Sequence, residues 1–185
     1  MFLAGAAGTV ALVIWGMIFW AVLAVALGMF HTLPNESEIT ELLQAGEAET
    51  GTYFVPWPRD TPEAFDAFVA RHKAGSFYKV SYIKEGVDPN SAAKILLGTL
   101  QYAVVAALAV GLLALASPQG FRRRAGTVFL AGCLGTLFIT IADPVWFHLP
   151  WDYTAGAVIF ELVAWALLGV SVAAVYREPA EQQAP

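Results

Sequence analysis

One uncharged run at the start of the chain limits the fold more than any other feature. Residues 2–30 contain neither a charged side chain nor a proline. A helix needs about 20 apolar residues to cross the ~30 Å hydrocarbon core of a bilayer, so the run predicts a membrane-spanning helix. It has no basic residues at its start and is about twice as long as a signal-peptide core, which favours an uncleaved anchor over a cleaved signal peptide.

Three later apolar runs also have the length of a membrane span. They cover residues 95–116, 127–147 and 155–176. Of all residues, 58% are hydrophobic and 14% are charged, whereas about 25% are charged in a typical soluble domain. The sequence therefore predicts an all-α membrane protein, a bundle of four transmembrane helices whose first partner is the lipid bilayer.

Basic residues predict the orientation of these spans. Three consecutive arginines, Arg122 to Arg124, lie in the short loop between the second and third spans, and Arg177 follows the fourth. Short loops rich in arginine or lysine stay in the cytoplasm. Both termini are therefore predicted to be cytoplasmic, and the long first loop is predicted to be extracytoplasmic.

The predicted spans and loops divide the chain into eight segments. Four of them are transmembrane helices, and the other four lie outside the hydrocarbon core. In chain order they are helix 1 (1–30), an extracytoplasmic cap (31–93), helix 2 (94–116), a basic cytoplasmic loop (117–126), helix 3 (127–147), an outer turn (148–154), helix 4 (155–176) and a cytoplasmic tail (177–185).

The cap is predicted to be a small α+β domain between helices 1 and 2, because it holds too many large apolar residues for a disordered tether. Its pattern predicts a helix through 36–44, a strand through 51–57, a helix from Thr61 to Gly75 and a strand through 76–83. This order resembles a minimal split β-α-β unit. Because two strands alone are marginally stable, the cap is expected to pack against the span ends or a partner.

Charge and cysteine content exclude several functions. Between residues 31 and 90 there are ten acidic and five basic residues. No basic helix occurs, so nucleic acid is not an expected partner. Cys133 is the only cysteine, which rules out a disulfide framework or a two-cysteine redox relay within this chain. It is interpreted as a small packing residue.

Polar side chains inside the predicted spans mark a candidate site, because such groups are costly in lipid and usually face the interior of a bundle. Glu161 in helix 4 and Gln101 in helix 2 have similar expected depths, towards the outer side. A small, polar face of helix 3 is formed by Gly132, Thr136, Thr140 and Asp143. We predict that Gln101, Thr140, Asp143 and Glu161 cluster in the outer half of the bundle, with His148 at the mouth of the cluster.

The cluster has two interpretations. In one, Glu161 is the ionisable group of a small-molecule, proton or ion site, and the protein is a transport component. In the other, Glu161 and Gln101 satisfy each other and neighbouring hydroxyls as interhelical hydrogen bonds. The second interpretation is favoured.

Enzymatic and cofactor-binding functions have little support in the sequence. No catalytic motif occurs, and no pair of the three histidines has metal-ligand spacing. The sequence therefore predicts no catalytic residue, no metal and no cofactor. His31 and His148 both fall near outer span ends, and a haem or metal site between them is the alternative.

A stripe of small residues predicts a helix contact. Ala103, Ala107 and Gly111 recur every four residues on helix 2. Such stripes let helices approach closely in membranes. The contact is predicted to lie within one bundle, with a homo-oligomer as the alternative.

Three segments carry a resemblance to other membrane proteins. They are TGTYFVPWP (50–58), FVARHKAGSFYKVSY (68–82) and FHLPWDYT (147–154). In these segments the chain resembles small four-helix bacterial inner-membrane proteins of uncharacterised function, which pair an aromatic-proline outer loop with a D-Y-T sequence before the last helix. The resemblance implies the architecture and carries no activity, cofactor or site residue.

Three functions are thus predicted, in order of preference. The first is a non-enzymatic structural or accessory protein whose cap binds another membrane or envelope protein, or a lipid headgroup. The second is a small-molecule or proton-coupled transport component that uses the polar cluster around Glu161. The third is a membrane-embedded cofactor or enzyme site near His31 and His148.

Overall fold

The computed structural model describes residues 1–57 and 62–177, with the backbone alone for residues 62–64. The chain divides into two compact units. The first combines Met1–His31 with the chain from Asn90 onward, and we call it the helical unit. The second, Thr32–Pro89, corresponds to the predicted cap and keeps that name.

The described residues form six helices and two strands. Helices α1, α4, α5 and α6 belong to the helical unit, and the other elements belong to the cap. In chain order they are α1 (Phe2–Ala26), α2 (Glu36–Ala45), β1 (Gly51–Val55), α3 (Pro62–Ala74), β2 (Tyr78–Tyr82), α4 (Ala92–Ala116), α5 (Phe121–Phe147) and α6 (Trp151–Val175).

The prediction of four membrane-length helices is confirmed. α1, α4 and α6 each have 25 residues and α5 has 27, and all four are apolar enough to cross a bilayer. A helix bonds its own backbone amides and carbonyls, which is what an unbroken apolar segment requires in lipid.

Three of these helices begin earlier than the sequence predicts. α4 starts at Ala92, two residues before its predicted start at 94. α5 starts at Phe121, and its first turn takes in Arg122–Arg124. α6 starts at Trp151. The predicted starts followed the apolar runs, but the first turn of a helix also accepts polar residues. Arginine is a good helix former, and aspartate is favoured near the start of a helix. The predicted loop before α5 is therefore reduced to 117–120, and the outer turn to 148–150.

α1 and α6 are the central helices of the helical unit. α1 packs along α4 and α6, and α6 also packs along α5. The main core includes the buried side chains of Ala4, Leu12, Leu113, Leu168 and Val172. A second core includes those of Phe19, Ala24 and Met29. If the helices cross a bilayer, close packing rather than exclusion of water would hold them together, because lipid is as apolar as these side chains.

The close approach of α5 and α6 depends on glycine. A Cβ atom on Gly132 would lie 2.0 Å from Cγ of Trp165, well inside van der Waals contact. A Cβ atom on Gly169 would lie 2.7 Å from the carbonyl oxygen of Ala125. Each glycine therefore lets the opposite helix touch its backbone.

α1 and α5 each contain one π-helical turn, at Phe19–Leu23 and at Thr136–Thr140. In α5 the amide of Ile141 donates to the carbonyl of Thr136 at 3.2 Å, five residues back instead of four. Where the spacing between donor and acceptor residues returns from five to four, one backbone carbonyl is left out of the helical hydrogen-bond pattern.

The sheet of the cap consists of β1 and β2, which pair in antiparallel orientation. Val55 lies opposite Tyr78, and Tyr53 lies opposite Val80. The expected split β-α-β unit is therefore wrong, since its strands would be parallel. A split unit places a third strand between its parallel partners, and the described residues of the cap supply only two strands. Thr61, the expected N-cap of α3, lies outside the described residues.

A chain of aromatic rings leads from α3 to the sheet. The ring of Phe68 lies 5.4 Å from that of His72, which lies 5.2 Å from Phe77. Phe77 in turn lies 6.3 Å from Phe54 of β1. Since successive strand residues point to opposite faces, Tyr53 lies on the face away from this ring chain.

Gly132→Ala is expected to destabilise the protein, because its methyl group would overlap the Trp165 ring. Overpacking costs about 1–3 kcal/mol, which predicts a Tm lowered by about 5 °C in thermal unfolding of the purified protein. Gly135→Ala is the matched control, since its Cβ atom would have nothing within 4 Å. Equal Tm values for the two variants would contradict the packing of α5 on α6.

Candidate functional site

Glu161 is the charged residue nearest the middle of the four long helices. It is the eleventh of the 25 residues of α6, so it lies about 15 Å from the start of the helix at 1.5 Å per residue. The other charged residues of these helices lie within a few residues of a helix end. They are Lys94, Arg122, Arg123, Arg124, Asp143 and Asp152.

A hydrogen bond joins Glu161 to α5. Oγ1 of Thr140 donates to Oε1 of Glu161 at 2.6 Å, and the pair is partly buried. This distance is typical of a hydroxyl that donates to a carboxylate. The bond crosses between two helices, so it fixes the rotation of α6 relative to α5 at this level.

Thr136 lies on the same face of α5, one turn before Thr140. Gly132, a further turn before, contacts Trp165 of α6. Thr136 therefore faces α6 between these two contacts. Its side chain is 3% exposed, and its Oγ1 atom has no hydrogen-bond partner among the described residues.

The structure does not bring all of the predicted site residues together. Gln101 of α4 is exposed and makes no side-chain hydrogen bond in the described part of the chain. Asp143 is half-buried near the end of α5 and likewise makes none there. His148 follows α5 in a left-handed conformation, with φ at 54°, and its side chain is exposed. Thr140 and Glu161 are the two members of the predicted cluster that a hydrogen bond connects.

At one end of the helical unit, an ion pair joins the chain after α1 to the first turn of α6. Nε2 of His31 lies 3.0 Å from Oδ2 of Asp152, and both side chains are exposed. Oδ1 of Asp152 accepts the amide of Tyr153 at 2.7 Å. Within residues 1–57 and 62–177, no group of three or more His, Cys, Asp or Glu side chains is arranged to hold a metal ion.

A second interhelical hydrogen bond lies beside the site, and the sequence did not predict it. Nε1 of Trp15 in α1 donates to the carbonyl of Phe160 at 2.9 Å. The Trp15 ring also stacks on the Phe160 ring, with centroids 6.3 Å apart. A tryptophan N–H usually finds an acceptor when buried, but the sequence does not say which carbonyl is within reach.

The predicted small-residue stripe borders a groove between α4 and α1. Ala103 and Ala107 line an apolar cavity of about 540 Å³ together with Gly5, Ala6 and Thr9 of α1. Oγ1 of Thr9 donates to the carbonyl of Gly5 at 2.9 Å, so this hydroxyl is satisfied within its own helix. The lining of the groove is therefore almost entirely apolar.

No protein-family model, no curated protein and no solved structure is significantly similar to the chain.

Thr140→Val is expected to remove the bond to Glu161 while keeping the shape of the side chain. The lost bond predicts a decrease of about 1 kcal/mol in the free energy of unfolding. The measurement is a double-mutant cycle with Glu161→Gln, which isolates the coupling between the two residues. Thr127→Val is the control in the same helix, because its hydroxyl donates to the carbonyl of Arg123 within α5. Additive effects of Thr140→Val and Glu161→Gln would contradict the bond.

Proposed function

We propose that this chain is a non-enzymatic, multi-pass protein of the bacterial inner membrane that binds an envelope partner through its extracytoplasmic cap. Its four apolar helices, each long enough to cross a bilayer, support the membrane location. The single observation that carries the role of the cap is an exposed aromatic surface on its sheet.

The distribution of arginine supports the orientation. Arg122 and Arg123 are exposed in the first turn of α5, and Arg177 is exposed just after α6. α4 ends and α5 begins at the same side of a bilayer if both helices cross it, and α6 ends at that side too. Three arginines on one side favour the cytoplasm for that side. The cap, which follows α1 and precedes α4 in the chain, is then extracytoplasmic.

The aromatic surface is one face of the β1–β2 sheet. The register places Tyr53, Val55, Tyr78 and Val80 on this face. The side chains of Tyr53 and Tyr78 are 38% and 49% exposed. Trp57, two residues after β1, is 66% exposed, and its ring lies 5.8 Å from that of Phe54 on the opposite face. Tyrosine and tryptophan offer large apolar area with a polar group at one end, which is why they are common in binding surfaces.

The cap also lacks a core that would stabilise it alone. Pro56 is the only buried residue among those described between Thr32 and Pro89. A two-stranded sheet with so little buried surface is marginal in water. A bound partner would supply the missing burial.

The charge of the cap favours a protein over an anionic lipid surface as the partner. Ten acidic residues stand against five basic ones between residues 31 and 90. Anionic headgroups attract basic segments and repel acidic ones. We therefore propose that the aromatic face meets an envelope protein with a neutral or basic apolar surface.

A photo-crosslinking amino acid at position 78 or 53 tests this function in cells that express the full chain. We expect a discrete protein adduct from both positions, because Tyr78 and Tyr53 share the exposed face. Ser81 is the control, since it is exposed on β2 but points to the opposite face. Adducts of equal yield from position 81, or no protein adduct from either tyrosine position, would contradict the proposed surface.

A further inference from the structure

Glu161 has no cationic partner among the described residues. The ion pairs found there join His31 to Asp152 and Lys84 to Glu49. A carboxylate near the middle of an apolar helix is costly unless a proton or a cation neutralises it. In the described part of the chain, no side chain provides that positive charge.

Thr136 gives a second, independent sign of a bound ligand. Its hydroxyl is buried and has no hydrogen-bond partner in the part of the chain that the structure describes. A buried hydroxyl without a partner destabilises a protein. Because Thr136 faces α6 between the Gly132–Trp165 contact and the Thr140–Glu161 bond, a small ligand beside Glu161 would satisfy it.

The backbone of α5 adds a further oxygen at the same place. Thr136 and Thr140 are the first and last residues of the π-helical turn, where the hydrogen-bond spacing changes from four residues to five. Pro144 has no amide hydrogen, so the carbonyl of Thr140, four residues earlier, lacks its usual α-helical donor. Carbonyls released from regular helix are the groups that coordinate Na⁺ within membrane proteins.

These ligands fit a hard cation of single charge. A carboxylate, two hydroxyls and a backbone carbonyl are all oxygen donors, which hard cations prefer. One carboxylate balances one positive charge, whereas a calcium site usually has several. We propose that Glu161, Thr140 and Thr136 form a site for a monovalent cation, with Na⁺ as the best match, between α5 and α6.

This site is independent of the role proposed for the cap. It involves α5 and α6 alone, and a cation at this depth is what cation-coupled transport would use. Loss of partner binding by the cap would therefore leave cation binding unchanged. Loss of cation binding would likewise leave partner binding unchanged.

Thermal unfolding of the full-length protein in lipid nanodiscs tests the site. NaCl is titrated while choline chloride keeps the ionic strength constant, and Tm is recorded. A ligand that binds the folded state alone raises Tm. We expect a rise of about 5 °C between Na⁺-free and saturating conditions. Glu161→Gln and Thr136→Val are each expected to abolish this rise.

Asp152→Asn is the matched control, because this carboxylate lies in the same helix and pairs with His31. It is expected to keep the full response to Na⁺. Thr136→Val retains the carboxylate, so it tests the site even if Glu161→Gln does not fold. A wild-type Tm that does not depend on Na⁺ would overturn the proposal. An equal rise in Glu161→Gln would overturn it by placing Na⁺ elsewhere.

Discussion

The absence of water in the bilayer core is the constraint on which the rest of this structure depends. Each backbone amide and carbonyl there needs a partner within the protein, so long apolar segments become helices. The four apolar helices of 25 to 27 residues meet this requirement. Polar side chains among them need partners for the same reason, and these partners determine how the helices are rotated against one another.

α6 is where these requirements converge. Phe160 accepts a hydrogen bond from Trp15 of α1, and the next residue, Glu161, accepts one from Thr140 of α5. Two consecutive residues of α6 thus connect this helix to α1 and to α5. The glycines at positions 132 and 169 bring α5 close enough for the second bond to form. The acidic group is therefore part of the packing between helices as well as a candidate ligand.

Much of the architecture could be predicted from the sequence, because the length of an apolar run directly measures its ability to cross a bilayer. The face of α5 that carries Thr136 and Thr140 followed from helical spacing. Gln101 shows the limit of such reasoning: spacing gives the depth of a residue along its own helix but not the rotation of that helix in the bundle. The π-helical turns and the antiparallel pairing of β1 with β2 depend on tertiary contacts, and no local sequence pattern predicts them.

The orientation of the chain is the central claim, because the role proposed for the cap depends on it. Replacing the single cysteine, as Cys133→Ala, gives a background in which one new cysteine reports its own location. A membrane-impermeant maleimide applied to intact spheroplasts should label Ser81→Cys in the cap. It should label Gln119→Cys, between α4 and α5, only after the membrane is permeabilised. Labelling of position 119 in intact spheroplasts, with position 81 protected, would contradict the account.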